Sequence, residues 1–287
     1  MNDFRADLHC HSTYSDGSET PETIVQIALK NGLQALSITD HDTVAAYEEA
    51  IPLCKKAGIT LITGVEFSTA LKGVSIHILG YGFHPDAPSI QELCSRHTER
   101  RESRNLQMLE LLSKHGMDIT REDLDEAISS EATGSGRTIG RPHIALAMIK
   151  KGYVSTPQEA FNKYLGEGRL CYVQGTTFTV DETIDAIHEA KGVAIIAHPH
   201  LVKNSAIVSE LLKKPFDGME CYYGKFPSND HKRWLKLARK KGWLITGGSD
   251  FHGKAKPNLE LGCSWIGREE FNALLEKCDS QNDLINN

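Results

Sequence analysis

The sequence predicts an α/β fold in which parallel strands are covered by helices and an active site lies at the carboxyl ends of the strands. Apolar runs at residues 36–39, 59–63 and 193–197 are bounded by glycine or polar residues, as buried strands are. Helix-like segments that end in glycine alternate with these runs, which is typical of parallel sheets. Histidine and carboxylate residues follow the strands, and α/β barrels gather their chemistry at those ends.

The first strand is expected to carry a pair of metal ligands. His9 and His11 are two residues apart, so on a strand both side chains point to the same face. Asp16 lies in the polar turn that follows and can return a carboxylate to them, whereas Cys10 faces the other way and is expected to pack as a small apolar residue. With 13 histidines in 287 residues such a pair can arise by chance, so two ordinary strand histidines remain an alternative at this point.

Later strands end in further residues of types that bind metals, or, in the case of His77, carry one within the strand. In chain order these residues are His41, Glu66, His77, His198, Asp250 and His252. Because the carboxyl ends of parallel strands meet at one end of a barrel, a single site could collect them all. Asp40 and Asp42 flank His41, and either could orient its ring, although ordinary loop carboxylates are an equal alternative.

Helices are expected between the strands, and a purely helical stretch interrupts the alternation. The first set lies at residues 22–31, 47–57, 181–191 and 228–241, each followed by glycine. Pro52 predicts a kink or a shorter element in the second of them. The helical stretch has candidates at residues 99–115, 121–128, 142–151 and 157–165. We therefore predict a barrel domain of residues 1–92 and 169–287, and a helical insertion of residues 93–168 that caps the substrate.

Composition and charge exclude several classes of protein. The net charge of −6 gives no general attraction to phosphate backbones, so an extensive nucleic-acid surface is not expected. Seven cysteines without a Cys-x-x-Cys pair argue against a disulfide framework and a thiolate zinc site. No signal peptide is visible, and no apolar run approaches the roughly 20 residues that span a bilayer. We expect a soluble, cytoplasmic protein that does not bind membranes.

Cations at several places along the chain bear on substrate binding. Arg137, Arg141 and His143 lie in residues 134–143, where glycines and the two arginines precede a proline-initiated helix, and this combination suits a phosphate. The alternative is a surface loop whose arginines pair with acids. Lys225, at the end of a strand, is a further candidate, and an ordinary exposed lysine is equally compatible. Glutamates accompany a set of arginines that we interpret as a solvated helix face, namely Arg96, Arg100, Arg101 and Arg104.

A series of motifs occurs in a fixed order along nearly the whole chain. They are Asp7-Leu8-His9-Cys10-His11-Ser12, Ser15-Asp16-Gly17, Ile38-Thr39-Asp40-His41-Asp42, Gly64-Val65-Glu66, His77-Ile78-Leu79-Gly80, Gly140-Arg141-Pro142-His143, Ala197-His198-Pro199 and Gly248-Ser249-Asp250-Phe251-His252. This set resembles the PHP (polymerase and histidinol phosphatase) family of metal-dependent phosphoesterases. The resemblance implies a distorted seven-stranded (β/α) barrel with two to three divalent ions, usually manganese, iron or zinc. Carried over to this chain, one ion takes His9, His11, Glu66 and Asp250, a second takes Glu66, His77 and His198, and a third takes Asp16, His41 and His252.

The resemblance also implies an activity. The similar branch of the family removes the 3′-phosphate of nucleoside 3′,5′-bisphosphates and trims short oligonucleotides from the 5′ end. We therefore expect hydrolysis of nucleotide phosphate monoesters or diesters, with a hydroxide held between two ions as the nucleophile. Arg141, with Arg137 and His143, would neutralise phosphoryl charge. Either His200 or a water at the third ion would protonate the leaving group.

The expected partner is a small phosphorylated substrate, a nucleotide or short oligonucleotide, but the substrate is less firmly indicated than the reaction. After His198-Pro199 many relatives carry Gly-Arg, whereas this chain has His200-Leu201. One alternative is a phosphatase of the histidinol phosphate type. Another is a metal-stabilised module that binds nucleic acid without turnover. The sequence gives no indication of the oligomeric state.

Overall fold

The computed structural model describes residues 4–128, 136–175, 177–226 and 228–279. Within these ranges the strands form two hydrogen-bonded sets, one of three strands and one of five. The strands are β1 (Ala6–Cys10), β2 (Ala35–Ile38), β3 (Thr60–Leu61), β4 (Gly64–Leu71), β5 (Val74–Tyr81), β6 (Val193–Ile196), β7 (Gly218–Tyr223) and β8 (Leu244–Gly248).

Isolated bridges join the two sets into a distorted barrel. Cys10 at the end of β1 forms a parallel bridge with Phe251, just beyond β8. His41, just beyond β2, forms another with Glu66 in β4. The N–H of Ile62 also donates to a carbonyl of β2, at 3.0 Å. β3 and β4 therefore follow each other along the same edge of β2 and together occupy one strand position of the barrel.

One strand departs from the expected parallel arrangement. β5 runs antiparallel to both β4 and β6, whereas the other pairs within the two sets are parallel. Lys72 and Gly73 join β4 to β5 with φ values of 51° and 78°, as in the type I′ turns that close hairpins. Glu66 consequently lies within a hairpin strand rather than at a strand end, and His77 pairs with Ser68 across the hairpin.

The helices between the strands agree with the prediction. In chain order the helices are α1 (Pro21–Lys30), α2 (Tyr47–Ala57), α3 (Pro88–Lys114), α4 (Arg121–Ile128), α5 (Arg141–Lys150), α6 (Pro157–Ala160), α7 (Val180–Glu189), α8 (Ser205–Leu211), α9 (Ser228–Lys241) and α10 (Arg268–Asp279). Thr20 caps α1 by accepting the N–H of Thr23. Pro52 lies inside α2 without ending it, so the shorter element considered above does not occur.

The inserted helices have a hydrophobic core of their own. Met108 in α3 and Ile144 in α5 belong to this second core. It also contains buried residues of α4, of α6 and of the turn that follows α6. That turn, Phe161–Leu165, is π-helical. α3 begins earlier than predicted, and Ile90 in its first turn packs in the main core beside the barrel. Since α3 contributes to both cores, the division of the chain into domains stays a prediction.

Apolar packing closes the end of the barrel opposite the strand ends that carry the polar residues. Leu8 and Leu79 from the strands pack there against Phe271 of α10. The seven cysteines lie in the described ranges and form no disulfides there, and Cys10 packs in the main core as predicted. None of the helices in the described ranges combines the length and the apolar character that crossing a membrane requires.

Candidate metal centre

The carboxylate of Glu66 lies at the centre of a cluster of histidines. Its Oε2 is 3.2 Å from His9 Nε2 and 3.1 Å from His11 Nε2. Its Oε1 is 2.8 Å from both His77 Nδ1 and His198 Nε2. The barrel therefore brings imidazoles from β1, β5 and the end of β6 to a single buried acid in β4.

Two further carboxylates extend the cluster. Asp250, just beyond β8, places its Oδ1 3.5 Å from His9 Nε2 and 3.4 Å from His11 Nε2. Asp16 places its Oδ1 3.3 Å from His252 Nε2 and 3.6 Å from His11 Nδ1. His41 also joins the cluster, because its Nδ1 is 3.4 Å from Glu66. The structure thus brings together every residue that the sequence analysis names as a metal ligand.

The donor atoms fit divalent metal ions. They form three overlapping groups in which all donor atoms lie within 4.8 Å of one another. The groups are His9, His11, Glu66 and Asp250; His41, Glu66 and His77; and His11, Asp16, His41 and His252. Buried ring nitrogens of His11, His41 and His252 have no hydrogen-bond partner, and unsatisfied buried polar atoms of this kind indicate a missing ligand. Nitrogen and oxygen donors in such groups suit zinc, manganese and iron.

The charges in the cluster also favour a cation. Burial opposes ionisation of Glu66, but the histidines around it, His41 first, hold the pKa of this carboxyl well below its usual range. Burial lowers the pKa of His41 to about 3, so its ring is neutral and has a lone pair to offer. Burial also acts to lower the pKa of His11, but the neighbouring carboxylates of Asp250 and Glu66 raise it to about 9. A bound cation can replace the proton that these acids otherwise hold on His11.

Glu220 orients two of the histidines and was not identified from the sequence. Its Oε1 is 2.9 Å from His9 Nδ1, and its Oε2 accepts the backbone N–H of His198 at 2.7 Å. A carboxylate on one ring nitrogen fixes the tautomer and the direction of the other. Glu220 therefore keeps Nε2 of His9 aimed at Glu66. A fully buried acid within the apolar strand β7 was the signal that could have revealed it.

Asp250 is held by contacts outside the donor groups. The Tyr223 hydroxyl donates to its Oδ2 at 2.8 Å, and Lys256 Nζ lies 2.8 Å from the same oxygen. Asp250 has a φ of 55° and His198 a φ of 25°, both in the left-handed region that non-glycine residues seldom occupy. Backbone strain of this kind is concentrated at functional sites, where surrounding contacts maintain it.

Two cavities adjoin the cluster and both reach His41 and His77. The arginine cavity has a volume of about 220 Å³, and its cationic lining consists of Arg100, Arg101, Arg104 and Arg141. The lysine cavity has a volume of about 600 Å³, and it is lined by Lys225 and Lys256 together with Glu66, His198 and Asp250. The candidate metal-binding residues therefore lie between two cavities, each of which is lined in part by cationic side chains.

The predicted substrate-binding residues are divided between these cavities and other places. Arg141 lines the arginine cavity and Lys225 lines the lysine cavity. Arg137 instead lies over the ring of Tyr14, at 5.8 Å from its centroid. His143 is buried and its Nδ1 accepts the N–H of Gly140, at 3.0 Å, at the start of α5. Neither of these two lines either cavity, so the predicted clamp is reduced to Arg141. Residues 134–135 of the glycine-rich segment lie outside the described residues.

His200 is poorly placed to protonate a leaving group. Its ring packs against Phe226 and Tyr223, at centroid distances of 5.4 and 5.9 Å, and it lines neither cavity. Burial lowers the pKa of His200 to about 3, so the ring holds no proton at neutral pH. The structure therefore argues against the predicted role of His200 as the acid.

The interpretation of the α3 arginines as a solvated face is wrong for most of them. Arg96 is half exposed and pairs with Glu182, but Arg100, Arg101 and Arg104 all line the arginine cavity. Residues three and four positions apart lie on one side of a helix, as Arg100 and Arg101 do with Arg104. This spacing could have indicated a shared cationic face. The buried guanidinium of Arg101 donates from Nε to Asp42 at 2.7 Å.

Neither flanking aspartate hydrogen-bonds to the ring of His41 among the described contacts. Asp40 instead accepts hydrogen bonds from the hydroxyls of Ser12 and Ser15, each at 2.6 Å. Asp42 accepts hydrogen bonds from Arg101 Nε and from the backbone N–H of Ser68, each at 2.7 Å. The two carboxylates therefore hold the loop in place rather than the imidazole.

Comparisons with known proteins agree with this architecture and confirm the family resemblance. The model of the PHP domain matches residues 7–171. A 5′-3′ exoribonuclease from Haemophilus influenzae is 35% identical over 268 residues, which cover 91% of each chain. A 3′,5′-nucleoside bisphosphate phosphatase from Chromobacterium violaceum is 29% identical over 89% of this chain and 90% of its own. A solved structure of a candidate metal-dependent phosphoesterase from Bifidobacterium adolescentis superimposes with a TM-score of 0.87, at 31% identity over 98% of both chains, which confirms the predicted fold class.

Proposed function

Because this chain belongs to the PHP domain family, we propose that it is a metal-dependent phosphoesterase that hydrolyses phosphate esters of nucleotides. The proposed substrates are the 3′-phosphates of nucleoside 3′,5′-bisphosphates and the 5′ ends of short oligonucleotides. The observation that carries this proposal is the single buried cluster of nitrogen and oxygen donors between two cation-lined cavities. The exoribonuclease and bisphosphate phosphatase relatives support the nucleotide class.

We assign the donors to as many as three ions of manganese, iron or zinc. His9, His11, Glu66 and Asp250 would hold the first, Glu66, His77 and His198 the second, and Asp16, His41 and His252 the third. When bound, such ions polarise a phosphoryl group and make water a better nucleophile at neutral pH.

The residues around the donors bind and orient. Glu220 fixes the ring of His9, and Lys256 supports Asp250. Arg141 and Lys225 lie in different cavities, so they can neutralise phosphate charge on two sides of the reacting phosphorus. Negative charge that develops during the displacement would therefore be matched by side chains already in place.

The test compares turnover of adenosine 3′,5′-bisphosphate, a 5′-phosphorylated trinucleotide and histidinol phosphate with Mn²⁺ added. We expect the wild-type protein to release phosphate or nucleotides from at least one nucleotide substrate. His41→Ala removes a donor shared by two groups, so activity should fall at least about 100-fold, as expected for loss of the metal's contribution. His115→Ala changes an exposed histidine at the end of α3 and serves as the matched control.

Two outcomes would contradict the proposal. One is that the metal-loaded protein, with its ion content verified by elemental analysis, binds single-stranded nucleic acid but releases nothing from it. The other is that histidinol phosphate is the only substrate turned over, which would assign the protein to a different phosphatase activity.

A further inference from the structure

The exposed side of helix α9 is strongly basic. Six of its 14 residues are lysine or arginine, and one is acidic. By contrast, α10, which also packs against β8, has four acids and two cations. The net charge of −6 gives the whole chain no general attraction to phosphates, so the cations of α9 form a local exception.

Five of these cations lie on one face of the helix. At about 100° per residue they fall within an arc of about 120°, opposite the buried side chains of His231, Trp234 and Ala238. We call this face the α9 stripe, and its residues, all exposed, are Lys232, Arg233, Lys236, Arg239 and Lys240. The sixth cation, Lys241, lies instead over the ring of Trp243, at 4.2 Å from its centroid.

Within the described ranges, no acidic side chain forms an ion pair with the α9 stripe. The neighbouring elements contribute the pairs of Lys214 with Asp181 and of Lys277 with Asp217, and neither pair includes a residue of the stripe. Arg233 lies 4.8 Å from the ring centroid of Trp234, a contact that leaves its positive charge in place. The stripe therefore presents a row of cations whose charge is available to an anion from outside the protein.

The α9 stripe begins near the metal-binding end of the barrel. β7 and β8 are parallel, and α9 connects them and packs against both, so the helix runs antiparallel to these strands. Its first residue is three positions beyond Lys225, which lines the lysine cavity. From there the stripe follows the outside of the barrel, and Lys232 and Lys240 are about 12 Å apart along the helix axis.

The chemistry of α9 fits the backbone of a nucleic acid better than a lipid surface. A helix that lies in a membrane needs a free apolar face, but Trp234 and Ala238 of α9 are already packed in the main core. Exposed lysine and arginine side chains contact phosphates irrespective of the base sequence. A row of cations that starts beside a proposed phosphoesterase site matches a chain of successive phosphates.

We propose that the α9 stripe binds the RNA chain that lies 3′ of the bond being hydrolysed. This inference rests on the proposed function. An oligonucleotide whose 5′ end lies at the metal-binding residues, and whose remainder leaves through the lysine cavity, passes Lys225 and then meets the stripe. A substrate of a few nucleotides ends before the stripe, so the stripe acts on longer chains only.

The first test measures binding without bound metal. Chelator-treated protein is titrated into 3′-labelled trinucleotide and dodecanucleotide RNA, and fluorescence anisotropy is followed at several salt concentrations. The wild type should bind the dodecanucleotide at least about 10-fold more tightly than the trinucleotide, because only the longer chain reaches the stripe.

The binding test needs a variant of the stripe and a control of equal charge. Combining Lys232→Gln, Lys236→Gln and Lys240→Gln should weaken dodecanucleotide binding about 10- to 100-fold at about 0.1 M salt and reduce the salt slope by about 2, since each phosphate contact contributes about 0.7. The control combines Lys30→Gln, Lys55→Gln and Lys56→Gln, which are exposed lysines in the last turns of α1 and α2. This variant loses the same charge and should bind as the wild type does.

The second test measures turnover of the same two lengths, 5′-phosphorylated and with Mn²⁺ added. The wild type should prefer the dodecanucleotide in kcat/KM, and the stripe variant should lose this preference through a higher KM. Equal loss in the stripe variant and the control, or no loss in either, would refute the stripe as an RNA site. Loss of binding to vesicles of equal parts phosphatidylserine and phosphatidylcholine, with RNA binding unaltered, would refute it in favour of a membrane site. Stripe-dependent RNA binding without any turnover by the metal-loaded wild type would instead refute the proposed function and leave the stripe standing.

Discussion

Replacing Arg101 by methionine should destabilise the protein strongly, because it leaves the carboxylate of Asp42 buried without its main partner. Arg101 reaches Asp42 from Nε at 2.7 Å and also through Nη2, which donates in addition to Ser68 Oγ at 3.0 Å. Burial opposes the charge on Asp42, and Arg101 is the largest influence that holds its pKa below the usual range. Removal of one partner from a buried pair of this kind costs about 3–5 kcal/mol.

The measurement is the free energy of unfolding in urea, followed by tryptophan fluorescence and far-UV circular dichroism on metal-free protein. Coincident transitions establish that one free energy describes the unfolding. Arg96→Met is the matched control, since its exposed pair with Glu182 contributes at most about 1 kcal/mol. Adding Asp42→Asn to Arg101→Met should recover part of the loss, because the buried charge that lost its main partner is then gone. A loss below about 1 kcal/mol for Arg101→Met alone would refute the reasoning.

Three further perturbations test the candidate metal-binding residues and the residues that surround them. Glu220→Gln should weaken Zn²⁺ binding about 10- to 100-fold in a calorimetric titration, since the ring of His9 loses its anionic partner, and unaltered affinity would contradict this. Gly248→Ala should lower the free energy of unfolding by at least about 2 kcal/mol, because the added Cβ would lie 2.4 Å from the Cβ of His9; a fully stable variant would show that the strands can separate. Affinity for Mn²⁺ should rise from pH 6.5 to about 9, since His11, whose pKa is about 9, must lose its proton to bind; a flat profile over that range would argue against His11 as a ligand.

The parts of the site that could be predicted from the sequence are those that depend on local spacing. His9 and His11 are two residues apart on a strand, and Asp250 follows another strand, so their meeting at one end of the barrel follows from topology. An ion pair between residues far apart in the sequence leaves no such local pattern. Arg101 and Asp42 are 59 residues apart, and only the packing of α3 against the loop after β2 brings them together.

The reversal of β5 was predictable in principle but was not predicted. The apolar run that contains β5 looks the same in either direction, because the side-chain pattern along a strand does not indicate whether the strand runs parallel or antiparallel to its neighbours. The two-residue link of Lys72 and Gly73 did encode it, since a parallel connection needs a crossover of a dozen or more residues. Lys256 was missed for a different reason: it lies in a loop beyond β8, where no periodicity distinguishes it from the exposed lysines of other loops.

The backward course of β5 has a consequence for the length of α3. A strand that runs against its neighbours delivers the chain to the far end of the barrel, away from the histidines, and the polypeptide must travel back before it can contribute to substrate binding. The 27 residues of α3 span about 40 Å, which is enough for that return. One extra residue early in this rod would turn everything beyond it by about 100°, and Arg101 would then face away from Asp42. Insertions and deletions should therefore be tolerated in the loops at either end of α3 and excluded from the first half of the helix itself.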